Sequence, residues 1–591
     1  MSAFSDLRSQ ADARWRELVA GDRPWIRVGT AMCGHAAGAL EVVEALRAEL
    51  AEHGIDAAVD EVGCLGLCFA EPLVDILKPG APRLFFNNVS PSDVPALVHD
   101  YLEAGEVPGG KALGFLGEGS IRGVADLNSL PGMRYQQRIA LRNGGHIAPN
   151  DIYQYIANDG YRGLNKALFE MEPADVIKEI TDSGLRGRGG AAFPTGVKWG
   201  FLVRSPGPPK YILCNCEEGD PGAYNDKGIL ESDPHSLLEG MTIAGYATGA
   251  SNGFVFIRHG HEGPIKRTET AIQQAYEVGL LGKSILGSQF SFDIEVSLTG
   301  DSYVAGEETA LMESIEGKRA MPRSRPPFPA AAGLWGRPSN INNVKTLAYA
   351  PEIIARGSQW FSSIGVNRSK GTVIICLSGK IRYPGLYEVP MGMTLGQVIE
   401  DIGGGVPGGK RLKLLQTGGP LGGVLGPNSM DIRLDFEEMA EAGAILGAGG
   451  IIVADEDTCA VDLTRVLVAF CQYESCGKCF PCRLGMTHLL EFLERITRFE
   501  GRPDDLELMH SVGRTMKAGS LCGHGQLGFN PIQSALKHFD ADFRAHLEER
   551  RCPTGGCLQP MIAPRNTRPF GGEFRPGPTP IQMAPGVSPR G

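Results

Sequence analysis

The chain lacks any stretch close to the roughly 18 to 20 uninterrupted apolar residues that a bilayer-spanning helix needs. Its start, Met1-Ser-Ala-Phe-Ser-Asp-Leu-Arg8, has no apolar signal core. Direct membrane insertion and secretion are therefore not expected, and the chain is placed in the cytoplasm. Runs of Lys and Arg are also missing: 57 basic residues against 68 acidic ones leave a net charge of -11, so nothing is present to neutralise a phosphate backbone and no nucleic-acid partner is expected. Nor is the chain a short, cysteine-dense disulfide framework. Its 14 cysteines are spread over 591 residues, and those standing at metal-ligand spacing point to a reducing compartment and metal sites. Length alone predicts about three to five domains.

What the chain does have is four cysteines in one pattern. Cys476, Cys479 and Cys482 stand at two-residue intervals in Ser475-Cys-Gly-Lys-Cys-Phe-Pro-Cys-Arg483, and Cys522 follows in Gly519-Ser-Leu-Cys-Gly523. Three closely spaced thiolates close around one face of an iron–sulfur cube and the fourth closes its other corner. Zinc normally shows two separated ligand pairs, so the pattern favours a cluster that moves single electrons. A second group, Cys33, Cys64 and Cys68, suits a two-iron cluster but supplies three of the four ligands such a cluster requires. A third group is Cys459, Cys552 and Cys557; with one histidine from a preceding helix that carries His538 and His546, it would complete a tetrahedral zinc site. Free buried thiols, packed as small hydrophobes, are the competing explanation there.

Along the chain, a short helical segment at 1–24 precedes a small α/β unit at 25–104. In that unit an amphipathic helix is predicted over 39–53, strands near 26–29, 56–62, 73–77 and 83–86, and a closing helix from Ser92. A linker rich in glycine and charge spans 105–124. The largest domain covers 125–365, a strand-rich β-grasp-like module covers 366–445, and helices fill 446–550. The tail at 551–591 carries Cys552 and Cys557; from 559 on it is Pro-rich and is expected to be disordered or draped on a partner.

The largest domain carries Ser183-Gly-Leu-Arg-Gly-Arg-Gly-Gly-Ala-Ala-Phe-Pro-Thr-Gly-Val-Lys-Trp199. Its glycines let backbone amides approach a phosphate or a flat ring, and Arg186, Arg188 and Lys198 supply positive charge. A dinucleotide fingerprint must follow a buried strand, whereas the segment at 173–182 has helical periodicity, so the phosphate-loop reading is preferred. A strand at 211–216 then runs into Asn215, Glu217, Glu218 and Asp220, acceptors suited to ring edges and ribose hydroxyls. Taken in isolation, Glu307 and Glu308 read as carboxylates at a helix N-terminus.

Together, Gly184-Leu-Arg-Gly-Arg-Gly-Gly-Ala-Ala-Phe-Pro-Thr-Gly-Val-Lys-Trp199, Gly306-Glu-Glu-Thr-Ala-Leu311, Pro326-Pro-Phe-Pro329, Asn340-Ile-Asn-Asn-Val344 and Glu474-Ser-Cys-Gly-Lys-Cys-Phe-Pro-Cys-Arg-Leu-Gly485 resemble the NADH-binding flavoprotein subunit of respiratory complex I and its soluble relatives. The likeness covers about residues 125 to 550. It implies an FMN in the glycine-rich loop, NADH stacked on the flavin and one [4Fe-4S] cluster nearby. Carried over by position, Gly187, Arg188, Gly189, Gly190, Lys198, Asn215, Glu217, Glu218, Gly306, Glu307, Asn342 and Asn343 hold FMN. Phe193, Phe201 and Phe328 wall the nicotinamide or adenine, with Asp220, Tyr303, Glu308 and Arg325 around the nucleotide. Glu218 and Glu308 are the candidate catalytic residues, shaping the field at the flavin. Arg325 stands where the respiratory protein usually has Lys, Asp220 where it often has Glu and Cys216 where Ala is usual, which leaves the choice between NADH and NADPH open.

The N-terminal unit narrows the resemblance to flavoprotein subunits of soluble NAD-linked hydrogenases, formate dehydrogenases and electron-bifurcating hydrogenases, which carry a thioredoxin-like segment there. Arg27 or Val28 occupies the neighbourhood of a first cysteine, so the [2Fe-2S] site is either degenerate or completed by His35. The resemblance thus implies an α/β multidomain protein: a thioredoxin-like N-terminal domain, a Rossmann-like FMN and NADH domain, a β-grasp-like module of SLBB type and a C-terminal helical bundle with an iron–sulfur cluster. Expected partners are a thioredoxin-like [2Fe-2S] subunit and an iron–sulfur or catalytic subunit of a larger redox complex. An electron-bifurcating module and a non-catalytic electron-transfer scaffold are the alternatives to simple NADH:acceptor oxidoreduction.

Overall fold

The helix predicted over 39–53 forms over Ala39–His53, and its burial shows why: Ala39, Val42, Val43, Leu46 and Leu50 recur on one face and all are buried. Gly54 ends it in the left-handed region, at φ 65°, where a side chain would be strained. The computed structural model describes residues 3–557. In it this helix packs on a five-stranded sheet of β1 (Trp25–Gly29), β2 (Ala58–Val62), β3 (Val74–Leu77), β4 (Arg83–Phe86) and β5 (Ala112–Leu116), in spatial order β2-β1-β3-β4-β5. β1 and β2 are parallel and the other pairs antiparallel. β5 falls inside the stretch 105–124 expected to be a linker. It is held there by pairing with the edge of β4, a partner that local composition cannot report.

Arg27 in β1 is 1 % exposed and donates to Asp75 at 2.8 Å, which also takes Arg83 at 2.6 Å. It is a buried structural cation, and removing one member of such a group costs about 3 to 5 kcal/mol. The N-terminal helix Ala3–Ala20 reaches out of this domain: it packs on the helix Ile152–Ala157, and Trp15 sets its ring edge-on against Trp25 at 5.4 Å.

The next sheet is β6 (Tyr211–Cys216), β7 (Asn252–Arg258), β8 (Asp293–Thr299) and β9 (Ser339–Asn343), all parallel, in the order β8-β7-β6-β9. The helices Pro234–Thr248 and Val344–Arg356, buried almost all round, cover it, as a parallel sheet requires. A short hairpin, β10 (Gly365–Val366) and β11 (Ser369–Lys370), leads to a mixed sheet of β12 (Thr372–Gly379), β13 (Gly385–Pro390), β14 (Leu412–Thr417), β15 (Val424–Leu425) and β16 (Gly450–Asp455), ordered β13-β12-β16-β14-β15. β16 lies at the centre of this sheet although composition assigns 446–550 to the helical region. Its apolar run is long enough for a strand, but only pairing to β12 and β14 reveals which sheet owns it.

Helices Ala460–Tyr473, Phe480–Thr497, Asp505–Gly519 and Asn530–Leu547 complete the described chain around a core that includes Leu467, Met486, Leu489, Met509 and Phe543. The Pro-rich tail from 559 on lies outside the described residues. Among those residues no helix is long and apolar enough to cross a membrane.

Candidate functional site

The chain leaves β6 toward β7 on one side, and β9 joins it on the other. Open parallel sheets take ligands in the crevice beyond the carboxyl ends of strands at such a switch point. Asn215 and Cys216 end β6 there, and Asn342 and Asn343 end β9. The glycine-rich loop crosses the same crevice. It closes on itself through Gly187 N–H to Phe193 O at 2.8 Å and Thr195 N–H to Leu185 O at 2.9 Å. At Gly189 a Cβ would stand 3.0 Å from that of Asn343, and Gly190 has φ +112°. Both positions therefore require glycine and leave bare backbone facing the crevice, a cradle that fits a phosphate or a flat flavin.

Many side chains predicted to hold the cofactor are already engaged. Glu218 is 5 % exposed, and its carboxylate accepts from the amides of Asp226 and Lys227, each at 2.9 Å, at the start of the helix Asn225–Ser232. Asn343 caps the helix Val344–Arg356 through Lys345 N–H at 3.0 Å and donates to Asp226 at 2.6 Å. Asn342 accepts from the Trp199 indole at 3.0 Å. Glu307 caps the helix Glu308–Ile315 through the amides of Thr309 and Ala310, as its place at a helix N-terminus leads one to expect. The Arg188 guanidinium is buried against Tyr349 and donates to the carbonyls of Lys370, Arg186 and Thr372. Its charge braces the loop against the mixed sheet and does not face the crevice. Arg186 behaves alike, donating to Ala192 O and pairing with Glu437.

A smaller set clusters at the carboxyl end of β6. Asn215 donates to Gly306 O at 2.8 Å and accepts from Glu217 N–H at 3.1 Å. Burial pushes the Glu217 carboxyl up to about 8, against the pull of Arg258 at 3.0 Å. Burial likewise raises Asp220 to about 6 although the Tyr303 hydroxyl pulls it down, and one Asp220 oxygen has no partner among the described residues. An acceptor left open in this way fits a hydroxyl-bearing ligand.

Toward solvent, Lys198 pairs with Glu308, and Arg325 reaches Glu307 at 2.8 Å and Glu308 at 3.8 Å. Beside this charged group lie exposed aromatics: Phe193 is 45 % exposed, Phe201 43 % and Phe328 58 %. Phe193 and Phe201 have ring centroids 6.2 Å apart, while Phe328 stands on the loop before β9. Aromatic faces next to fixed cations suit a nucleotide, ring at one end and phosphates at the other.

The turn Tyr303–Gly306 links this crevice to the four cysteines. Gly306 meets Asn215 and Glu217 on one side, while Val304 lines a pocket with Cys476, Cys479, Cys482 and Cys522 on the other. Tyr303 also sets its ring 5.8 Å from that of His524, a residue that lines the same pocket. Cys479 immediately precedes the helix Phe480–Thr497 and Cys482 lies in its first turn, which sets two of the thiols at one helix start. Burial pushes the Cys522 thiol up to about 11, although the amides of His524 and Gly525 pull it down. Four thiols lining one pocket fit a four-iron cluster.

The third group is tighter. The ligand atoms of Cys459, His546, Cys552 and Cys557 all lie within 4.8 Å of one another. His546 Nδ1 donates to Asp542 O at 2.7 Å, leaving Nε2 toward Cys459 Sγ at 3.5 Å and Cys557 Sγ at 3.3 Å. That backbone bond fixes the tautomer and leaves Nε2 able to ligate a metal. His538 lies instead beside Gly426. At the N-terminus Cys33 Sγ and Cys68 Sγ lie 3.3 Å apart. His35, two residues after Cys33 on the short helix Met32–Ala36, is exposed. Positions two apart on a helix point to different faces, so it does not join them. Glu71, a residue the sequence pattern did not single out, does: it reaches Cys64 Sγ at 3.4 Å.

Comparison with known proteins agrees with this geometry. The Nuo51 FMN-binding domain family matches residues 180–352, the SLBB domain 374–425, and the NADH-ubiquinone oxidoreductase-F iron-sulfur binding region 462–546. The chain is 49 % identical over 422 residues to HndC, a subunit of the NADP-reducing hydrogenase of Solidesulfovibrio fructosivorans, covering 71 % of this chain and 86 % of that one. It is 45 % identical over 419 residues to the F 2 polypeptide of the NADH-quinone oxidoreductase of Rhizobium meliloti, covering 70 % and 99 %. A chain of an NAD+-reducing [NiFe]-hydrogenase superposes with a TM-score of 0.63 at 26 % identity, covering 92 % of each. The chain belongs to the F-type polypeptide family of NADH-quinone oxidoreductases, as an NADH-binding FMN flavoprotein with a [4Fe-4S] region, an oxidoreductase subunit of the kind found in complex I and NAD-reducing hydrogenases.

Proposed function

We propose that the chain takes electron pairs from reduced nicotinamide at the crevice and delivers them singly, through the cluster held by Cys476, Cys479, Cys482 and Cys522, to a partner subunit, or runs this path in reverse. Bound FMN supplies the hydride-accepting ring that turns a two-electron donor into single-electron steps. The observation that carries the proposal is the Tyr303–Gly306 turn, whose two sides belong to the crevice and to the cysteine pocket.

The chain's own share is orientation and electrostatics. Gly187, Gly189 and Gly190 bare the amides that meet the cofactor. Asn215, Glu217 and Asp220 meet its polar edge. Glu218, Asn342, Asn343, Glu307 and Arg188 hold the backbone that presents those groups. Phe193, Phe201 and Phe328 clamp the nucleotide rings, while Lys198, Glu308 and Arg325 meet its charged end. Alignment of this sort lowers a barrier by several kcal/mol, roughly 7 to 11 in the best intramolecular cases.

Zinc on Cys459, His546, Cys552 and Cys557 has a structural role, because four protein ligands close the tetrahedron and leave no position for substrate. The partners are a thioredoxin-like [2Fe-2S] subunit and an iron–sulfur or catalytic subunit, and the likeness to a hydrogenase component favours a hydrogenase as the latter. Thiolate-dependent sites favour a reducing compartment, and the cytoplasm is the one we propose.

The isolated chain tests this. Bound FMN and NADH-dependent reduction of an artificial dye are expected. A preparation with an intact four-iron signal but neither bound FMN nor nucleotide-dependent reduction would overturn the proposal, and would favour a scaffold.

A further inference from the structure

We propose that Glu71 supplies the fourth ligand of a [2Fe-2S] centre whose other ligands are Cys33, Cys64 and Cys68. The inference concerns the N-terminal domain and stands apart from the flavin path.

The three thiols come from a short helix and a loop that the fold brings together. Cys33 stands just after β1, and Cys64 and Cys68 lie on the loop after β2, where Gly66 turns the chain at φ +100°. The Gly66 amide donates to Cys64 Sγ at 3.1 Å. Amide bonds to sulfur of this kind stabilise a metal-bound thiolate.

Glu71 completes the ring of donors. It is 7 % exposed, accepts from Leu73 N–H at 2.9 Å and lies 3.4 Å from Cys64 Sγ. A Cβ at Gly29 would stand 3.1 Å from Glu71 Oε2, and one at Gly34 3.2 Å from it. Two glycines therefore make room for this carboxylate at the end of β1, where the segment carrying Cys33 departs. Val28, one residue earlier in β1, is fully buried in the core and offers no ligand.

The donor set suits a metal. Among the described residues no Lys, Arg or His forms an ion pair with Glu71, so no cation competes for its carboxylate. A carboxylate and three thiols gathered in one place bind a metal as they give up their protons. The size of the group selects the kind of centre. Among the described residues, the only His, Cys, Asp and Glu ligand atoms all within 4.8 Å of one another are those of Cys459, His546, Cys552 and Cys557, which suit one ion. The N-terminal donors do not all fall within that distance of one another, which suits a two-iron rhomb better than a single ion. The domain is docked to the flavin domain through Met32 with Glu231 and through Arg267 with Thr30 at 2.8 Å, so the centre has a rigid seat.

The test uses the full chain purified without oxygen. Iron and acid-labile sulfide in excess of one four-iron cluster, and a second paramagnetic signal on reduction, are expected. Glu71→Cys should keep that signal, move it toward an all-thiolate spectrum and lower its midpoint potential, because a thiolate donates more charge to iron than a carboxylate does. Glu71→Ala should lose or alter it while the four-iron signal and FMN content persist. A second signal identical in the wild type, Glu71→Cys and Glu71→Ala would overturn the assignment. So would a wild type with full FMN and four-iron content but no second signal, or with a Cys33–Cys68 disulfide or a single zinc at these residues. Those outcomes leave the flavin proposal standing.

Discussion

The helical region and the flavin crevice prepare for their cofactors in opposite ways. In the helical region the donors converge on one another: Cys557 Sγ lies 3.4 Å from Cys459 Sγ and 3.3 Å from His546 Nε2, and the four cluster cysteines line one pocket. In the crevice nearly every polar side chain has a backbone partner, as with Glu218 on two amides or Arg188 on three carbonyls. On the roles proposed above, metal ligands act directly, whereas most crevice residues act by fixing the backbone that would meet the flavin. Removing a ligand should remove a cofactor; removing a crevice residue should loosen one.

The largest effect should come from Cys479→Ser. Loss of the four-iron paramagnetic signal and of electron delivery to a protein acceptor is expected, with bound FMN and NADH-to-dye activity retained; loss of FMN as well would erase the contrast between the regions. Next, Cys557→Ala should release zinc, measured by elemental analysis, and lower Tm by about 5 °C with the four-iron signal unchanged. An unchanged Tm and no zinc in the wild type would mean that these thiols merely pack together.

Glu218→Ala should cost about 1 to 2 kcal/mol of stability through loss of the cap on Asn225–Ser232, read by denaturant unfolding, and Glu218→Gln should recover much of it with turnover preserved. If Glu218→Gln instead changes the flavin potential at full stability, Glu218 acts on the flavin and the comparison needs redrawing. Glu217 offers a pH test. Its carboxyl is raised from 4.5 to about 8 by burial, so the folded chain holds a proton there that the unfolded chain has released. Its contribution to stability therefore falls as pH rises from about 4.5 to 8. In the holoprotein, loss of that proton near pH 8 should add a downward step to the flavin potential, absent in Glu217→Gln in a potentiometric titration. The smallest effect is expected at Glu308→Gln. Its pairs with Lys198 and Arg325 are partly exposed, so about 0.2 to 1 kcal/mol is at stake, seen as a rise in KM for NADH of a few-fold at most with kcat unchanged.

Much of this is legible in the chain. Helices Ala39–His53 and Pro173–Asp182 stand where their periodicity puts them, because a one-sided apolar face leaves its spacing in the sequence. The glycine-rich loop and the cysteine triplet are equally plain, since each is a single short segment whose chemistry is complete in itself. β5 and β16 are not, because a strand's partner is chosen across the fold and leaves no local mark. Arg188 shows the same limit: a guanidinium in a glycine loop looks ready for phosphate until the carbonyls of Lys370 and Thr372 arrive from another domain.

The cofactors are written into the order of residues: glycines dense enough to bare a backbone, and thiols spaced to grip a cluster, are local properties that need no fold to be recognised. How those sites relate is a matter of folding alone. Packing set the Tyr303–Gly306 turn between flavin crevice and cluster pocket, gathered Cys459 with His546 and Cys557, and brought Glu71 to Cys64. Each of these depends on distances between segments that the chain brings together from apart, and such distances are fixed by the contacts of the folded core, not by spacing along the chain.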